Sequence, residues 1–586
     1  MSSGLKYCRQ GGLLLLFVFS LVIPASSQSI IYVDADAVGS DDGSSWADAF
    51  VYPQDGLAVA EAGDEVWVAE GIYRPDQGGG QTSGDRAALF HAADISMYGG
   101  FEGVESSISE RVDSLRSVLT GDLLDNDSGD VSASEPTRAD NAWQVLGLSS
   151  ALLDGFVVTS AHGNGGLSAG HSTIRNVRVT KNYSNHDGGG VRISGEPCRI
   201  ENVVLEENVA EDEGGGVIVS CQYARLEDVV LKNNSALQGS GMFNRGHATV
   251  LGASFVGNVG EGAIYTEEQT RLLLVNALLS GNSGYVAGVA AEEPKHVSIV
   301  NSAIVHSTST GGAVFVSYGH LEITNSVVAF NDSGSRGAIH EIGNDTFSAM
   351  RVSNSIFWGN EGGSNPHFTR LVVDGNPGPF EVAFSLLEGM LPDYVDEVEN
   401  LYEDPLFSNP LGLDGEAGTE DDDLTVLSAS PAIDSGDLTR LPPDSLDLDG
   451  DQVTEEYLPV DGLMHRRVYD GGTGHVEVDI GAYEFGAPPV VVGRADSNRL
   501  AADNVYMFPN PARSYTTLGQ LPFGTGCNDI EMFDLLGRRL ERPPCSLISV
   551  SEARMELRGI GSGRYFVVLQ GGSGRHALRG LLVVSR

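Results

Sequence analysis

Two carboxylates stand immediately ahead of matching glycine triplets: Asp187 before Gly188-Gly189-Gly190, and Glu213 before Gly214-Gly215-Gly216. They are 26 residues apart. If that interval is one turn of a repeating structure, the two side chains stack on a common face, with Arg192 nearby in sequence. Two carboxylates ~5–9 Å apart on either side of a glycosidic bond are the acid and base of a hydrolase. A carboxylate pair holding a cation, with a base beside it, suits elimination from a uronate sugar. Like charges that close raise one pKa or recruit a metal. The plainer alternative is that both side chains point into solvent at a corner. His340-Glu341 and the scattered histidines form no coherent row, and no Ser/His/Asp or Cys/His nucleophile signature is present.

A second group of chemistry-bearing residues lies in two acidic loops. Asp414, Glu416, Asp421 and Asp423 belong to the first; Asp447, Asp449 and Asp451 form the second, with the D-x-D-x-D spacing that opens a calcium loop. Loop position 12 falls on Leu458 instead of a bidentate Glu, so this is not an EF-hand. Alternating carboxylates in a turn still suit Ca²⁺, the one cofactor the sequence suggests, against the alternative of merely solvated loops. Cys527 and Cys545 flank the turn Leu535-Leu536-Gly537-Arg538 almost symmetrically and are the favoured disulfide. Cys198 and Cys221, 23 residues apart, are about one repeat apart but three residues out of register, which disfavours a bridge. No zinc-type Cys/His spacing occurs.

The elements that position these residues come from an internal repeat. The phrase Ile-x-Asn-x-Val-x-x-x-Asn recurs with its first Asn at 176, 202, 276, 301, 325 and 354, and with Asp228 and Gly252 in the two intervening places. Successive spacings are 26, 26, 24, 24, 25, 24 and 29 residues. Two residues earlier stands an aliphatic residue each time: Ile174, Ile200, Leu226, Val250, Leu274, Ile299, Ile323 and Val352. Six residues later stands Asn182, Asn208, Asn234, Asn258, Asn282, Asn331 or Asn360, with Ser307 the exception. Apolar alternation with period two around each anchor and in Gly216-Val217-Ile218-Val219 predicts short strands. Three strands and three corners make one coil of a solenoid, which buries its apolar face only by stacking on neighbours. Asn and Gly suit the corners, where left-handed backbone and side-chain hydrogen bonds are useful. That structural role competes with a sugar-binding ladder and is the preferred reading.

This repeat resembles the right-handed parallel β-helix, or pectate-lyase-like, superfamily, and Phe357-Trp358-Gly359-Asn360 resembles repeats of polymorphic outer-membrane adhesins. Gly43-Ser44-Ser45-Trp46, Asp64 to Tyr73 and Tyr98-Gly99-Gly100-Phe101 are similar to the N-terminal part of exported β-helix proteins, which implies a cap and first coils over 28–149. A capping helix at Leu57 to Glu61 and a strand at Glu65 to Ala69 are expected there, ahead of regular coils over 150–383. Ser430 to Gly436 and Val478 to Glu484 resemble the closing signatures of a choice-of-anchor region, implying an irregular, acidic end to the helix over 384–486. After a linker at 487–503, residues 504–586 resemble the type IX secretion C-terminal sorting domain. Met507-Phe508-Pro509-Asn510-Pro511 and Phe533-Asp534-Leu535-Leu536-Gly537-Arg538 carry that resemblance. The fold class expected is all-β: a right-handed parallel β-helix followed by a small β-sandwich.

Charge and the N-terminus bound the function. Thirty-five basic residues against 80 acidic give a net charge of −45, which repels phosphate backbones and argues against nucleic acid as a partner. Lys6 and Arg9, the apolar run Leu13 to Ile23 and Ala25-Ser26-Ser27 read as a signal peptide over 1–27, too short to span a bilayer. No membrane span is expected in the mature protein. With this signal peptide, the resemblance of residues 504–586 to the sorting domain implies a secreted or outer-membrane surface protein of a Gram-negative bacterium with the type IX machinery as a partner. The resemblance to exported β-helix proteins implies an extracellular glycan or surface partner as ligand. The favoured role is non-catalytic glycan binding or adhesion. The alternatives are a polysaccharide lyase or glycoside hydrolase, and a structural envelope spacer.

Overall fold

The computed structural model describes residues 28–490, apart from 112–116, 345–347, 375–377, 413, 420 and 470–476, together with seven strands between 506 and 584. The expected signal peptide and Cys527 lie outside the described residues, as do the side-chain surroundings of Cys545.

The body is a parallel β-solenoid with three faces: a 24-stranded sheet, an 11-stranded sheet and a 7-stranded sheet of very short strands. One coil shows the plan. Arg199–Glu206 runs in the large sheet, bending at Asn202; Val209–Ala210 lies in the narrow sheet; Val217–Ser220 lies in the eleven-stranded sheet before the chain re-enters the large one at Tyr223. The aliphatic row is in register through the stack. Ile174 pairs with Ile200, then Leu226, Val250, Leu274, Ile299, Ile323 and Val352 in turn. Each is almost wholly buried, and each contributes ~1.5–3 kcal/mol of hydrophobic stabilisation.

The two Asn rows separate into two jobs. The first Asn carries the bend: Asn176, Asn202, Asn276, Asn301, Asn325 and Asn354, with Asp228 and Gly252, all have φ between 49° and 61°. In the second row the left-handed residue is the one before the Asn, such as Glu207 (φ 54°) or Asn233 (φ 53°). The second-row Asn turns inward and builds a buried amide ladder. Nδ2 of Asn182, Asn208, Asn234 and Asn258 donates to Oδ1 of the next Asn at 3.0–3.1 Å, and the same Oδ1 accepts the lower Asn's backbone N–H. A sugar cannot reach this row. The glycine triplets divide similarly. Gly214 takes the left-handed conformation (φ 66°), whereas a Cβ on Gly216 would lie 2.5 Å from the Gly241 carbonyl oxygen, so that position needs glycine for close stacking.

Three expectations require correction. The capping helix is Pro53–Val59, earlier than Leu57 to Glu61, because Pro53 is preorganised for a helix start and Gly56 lets the helix settle on Val33. The strand Glu65–Ala69 is as expected. Cys198 and Cys221 do form a disulfide, with Cα atoms 6.3 Å apart. Ile200 stacks on Leu226 and Ser194 on Ser220. The two cysteines therefore face each other diagonally across the corner between two sheets, and the three-residue offset is the width of that corner. The acidic segment is not simply the frayed end of the coils. Phe380–Ala383, Leu386–Leu387 and Asp396–Val398 still pair in the large sheet. The chain then doubles back as a strap along that sheet's outer side. Leu424, Val426, Ala432, Ile480 and Ala482 pack on Ala303, Val305, Val327, Ala329 and Ile356, and Leu448, Leu458 and Val460 pack on Leu251, Val275 and Val300. First-row Asn side chains tie it down: Asn301 Nδ2 donates to Val460 O (2.6 Å), and Asn354 exchanges bonds with the Asp437 backbone (3.0 and 2.8 Å).

The described C-terminal strands form a four-stranded and a three-stranded antiparallel sheet, the two-sheet plan of a small sandwich.

Candidate functional site

Strands of the eleven-stranded sheet turn alternate residues outward. In consecutive coils Arg192, Ile218, Phe243, Tyr265, Ala290, Phe315 and His340 are in register on that outer face. Phe243 and Tyr265 stack with centroids 5.0 Å apart and planes 9° from parallel. Asp187 and Glu213 come together beside this row, as their spacing suggests. The residue that joins them is Arg245, which sequence reasoning missed. Its Nη2 lies 3.2 Å from Asp187 Oδ2 and also bonds Glu213 Oε2, its Nε is 3.6 Å from Glu267 Oε1, and its guanidinium covers the Phe243 ring at 5.3 Å. Arg192 plays a different part. It donates to the main-chain oxygens of Asp187 (2.9 Å) and Asn164 (2.5 Å), fixing the corner loops.

The electrostatics follow from this geometry. Burial pushes the Glu213 carboxyl up, against the pull of Arg245 and with the help of Asp187. Burial alone would lower Arg245; the facing carboxylates reverse that, and its pKa is raised. The cluster is thus a carboxylate–guanidinium–carboxylate bridge over an aromatic stack. Its charged rim is open to solvent, with Asp187 and Arg245 side chains each 34% exposed, whereas the Phe243 and Tyr265 rings beneath are buried.

The acidic loops divide. Asp414, Asp421 and Asp423 accept from N–H and hydroxyl groups of their own loop; for example, Asp423 Oδ1 accepts from Thr425 Oγ1 at 2.6 Å. Together with Glu416 they form no cation-sized cluster among the described residues. Asp447, Asp449 and Asp451 do gather, joined by Asp444 and Glu456, which lie beyond the reach of the D-x-D-x-D spacing. Ligand atoms of Asp444, Asp447 and Asp449 lie within 4.8 Å of one another, as do those of Asp449, Asp451 and Glu456. Burial, then the four aspartates, pushes Glu456 up. A third cluster, Asp434, Asp479 and Glu484, sits in the strap.

No family model and no curated protein matches the chain. Among solved structures it is similar to the pectate lyase Pel9A, with 12% identity, 78% of this chain and 97% of that one covered, and a TM-score of 0.43. A rhamnogalacturonan lyase is similar at 14% identity, covering 67% and 95% of the two chains, TM-score 0.28. A GH136 lacto-N-biosidase from Eubacterium ramulus follows at 9% identity, covering 59% and 68%, TM-score 0.20. At such identity and overlap the similarity extends to architecture and no further. No helix among the described residues is long and apolar enough to cross a membrane.

The far end of the solenoid adds a pH response. His367 Nδ1 faces the Asn360 amide (3.2 Å) while Nε2 meets the Glu388 carbonyl (2.7 Å), so the ring is held neutral with its proton on Nε2. Burial lowers the pKa of His367, and burial followed by Arg336 lowers that of His340. The unfolded chain, with His near ~6.5, then binds more protons than the folded one. Stability is complete above that value and is lost as pH falls below it towards the depressed folded values. Urea midpoints are expected to drop between pH 7.5 and 5.5, and less steeply in His367→Gln. An equal drop in both proteins contradicts a neutral, buried His367.

Proposed function

We propose that this chain is an exported surface protein whose eleven-stranded sheet binds an extracellular glycan without turning it over. The observation that carries the reading is Arg245 laid across Phe243 and shared by Asp187 and Glu213. The Phe243 ring is buried beneath Arg245 and fixes its guanidinium, so what the surface offers is a charged hydrogen-bonding fork suited to a sugar's hydroxyls. The same bridge argues against turnover. A hydrolase needs one carboxyl free to protonate the leaving oxygen and the other free as base or nucleophile, and here both are engaged by one guanidinium. A lyase base needs a lowered pKa, and Arg245 is raised. Export and delivery by type IX machinery to the outer-membrane surface or medium rest on the N-terminal charge and apolar pattern and on the C-terminal motifs.

The test incubates the full chain with immobilised acidic and neutral glycans and follows retention, unsaturated-product absorbance and new reducing ends. Retention without product is expected. Arg245→Ala is expected to weaken it at least about tenfold, the scale of losing a charged hydrogen-bonding group. Product formed by the native chain and lost in Asp187→Asn or Glu213→Gln overturns the proposal in favour of an enzyme. Neither retention nor product overturns it in favour of a spacer.

A further inference from the structure

The strap closes on a group of buried charges that do not balance. Asp461 and Arg467 are fully buried, Asp479 is 1% exposed and Glu484 4% exposed. Main-chain N–H groups satisfy most of the carboxylate oxygens. Asp461 accepts from Leu463, His465 and Glu484, and Asp479 from Asp434 (2.7 Å) and Phe485 (2.6 Å). Arg467 spends Nη2 on the carbonyls of Asp479 and Gly481 at 2.8 and 2.6 Å, and its Nε is 3.8 Å from Glu484 Oε2. Glu484 Oε2 accepts the Asp479 N–H at 3.2 Å, but Glu484 Oε1 is buried without any hydrogen-bond partner. One permanent positive charge therefore faces three buried carboxylates. Burial pushes the Glu484 carboxyl up to about 9 and that of Asp479 up to about 6, because carboxylates in a low-dielectric interior are costly to keep charged unless paired or bound to a metal.

Ligand atoms of Asp434, Asp479 and Glu484 lie within 4.8 Å of one another. A hard, all-oxygen donor set of this kind, with O–metal distances of ~2.3–2.6 Å, is what Ca²⁺ takes. We propose that Asp434, Asp479 and the unpartnered oxygen of buried Glu484 hold one divalent cation, Ca²⁺, which clasps the two arms of the strap to the solenoid. Its +2 charge added to Arg467 offsets the three buried carboxylates Asp461, Asp479 and Glu484, and leaves half-buried Asp434 as the one negative charge in excess. The position fits a clasp. Gly436 and Val478 bridge the two arms beside the site, and Gly481 N–H donates to the carbonyl of Asn354 in the underlying coil.

The test uses the full chain, stripped with a chelator and titrated calorimetrically with Ca²⁺, alongside limited proteolysis of the strap. A variant with Asp447→Asn, Asp449→Asn and Asp451→Asn removes the neighbouring acidic loop and is expected to keep at least one Ca²⁺ site. Asp434→Asn, isosteric and half-buried, is expected to weaken that site at least about tenfold and to abolish Ca²⁺ protection of the strap. Glu484→Gln is expected to do the same. If Glu484→Gln does not fold, Asp434→Asn alone decides. No Ca²⁺ binding by the native chain, binding unchanged in Asp434→Asn, or binding lost entirely in the loop variant would each overturn the proposal.

Discussion

Asn234→Ala is expected to be among the most destabilising single changes in the solenoid, although it removes only an amide. Asn234 Oδ1 accepts the Asn208 N–H (3.0 Å) and the Asn208 side-chain amide (3.1 Å). Its own Nδ2 donates to the Leu205 carbonyl (2.8 Å) and to Asn258 Oδ1 (3.1 Å). All these groups are sealed from water, so alanine leaves the Asn208 N–H with nothing to bond. A buried unsatisfied group costs ~1–3 kcal/mol, and the vacated volume adds a cavity term. A loss of about 3 kcal/mol or more in denaturant-derived stability follows. Asn202, in the other Asn row, is the control. Its amide bonds Asn176 Oδ1 at an exposed edge, and its backbone is left-handed with φ 50°. Asn202→Gly should be close to neutral, while Asn202→Ala costs about 1–2 kcal/mol of backbone strain. Equal losses at 234 and 202 would mean that the ladder does not hold the coils together.

Arg370→Met is expected to be of similar size, for a different reason. Arg370 and Glu341 occupy paired positions on adjacent coils, with Nε–Oε2 2.9 Å and Nη2–Oε1 3.2 Å. Their side chains are 3% and 2% exposed, and the guanidinium lies over Phe380 at 5.7 Å. Removing one member strands the other charge in the interior, which costs ~3–5 kcal/mol. Replacing both by apolar residues, Glu341→Leu with Arg370→Met, should return most of that loss, because the pair spends much of its attraction on desolvation. A double variant no more stable than Arg370→Met would show that the pair is worth more than an apolar core at this point.

The coil body is legible in sequence because its two signals repeat. Aliphatic residues two before each anchor fill the interior, and an Asn, Asp or Gly at the anchor permits a left-handed bend, so each coil restates the same instruction. The ladder is visible as a row, but its inward direction depends on the left-handed residue ahead of it. That place is filled by types as unlike as Glu207, Gly257, His306 and Phe330, so composition carries little trace of it. The serine row Ser302, Ser326, Ser355 and Ser385, linked hydroxyl to N–H at 3.1–3.2 Å, is hard to see because serine is common on surfaces. Coil spacing suffices to bring Asp187 and Glu213 together. It does not reach Arg245, which crosses the face from the opposite edge of its strand, a reach that sequence separation does not encode. The strap is hidden for the same reason: its partners lie some 80 to 190 residues away, as with Asn354 and Asp437 or Asn276 and Met464.

The strap also acts as a ruler. Asn276, Asn301 and Asn354 each meet one particular place on it, Met464, Val460 and Asp437 respectively. Adding or deleting a whole turn between 276 and 354 would leave every internal row in step yet carry these attachments out of phase by a strand spacing. Asn176 and Asn202 spend the same amide inside the solenoid, on Asp154 and Asn176. Growth and shrinkage of the rod by duplicated turns is therefore tolerated towards its N-terminal half and penalised beneath the strap, so the chain keeps one section of fixed length and one free to vary.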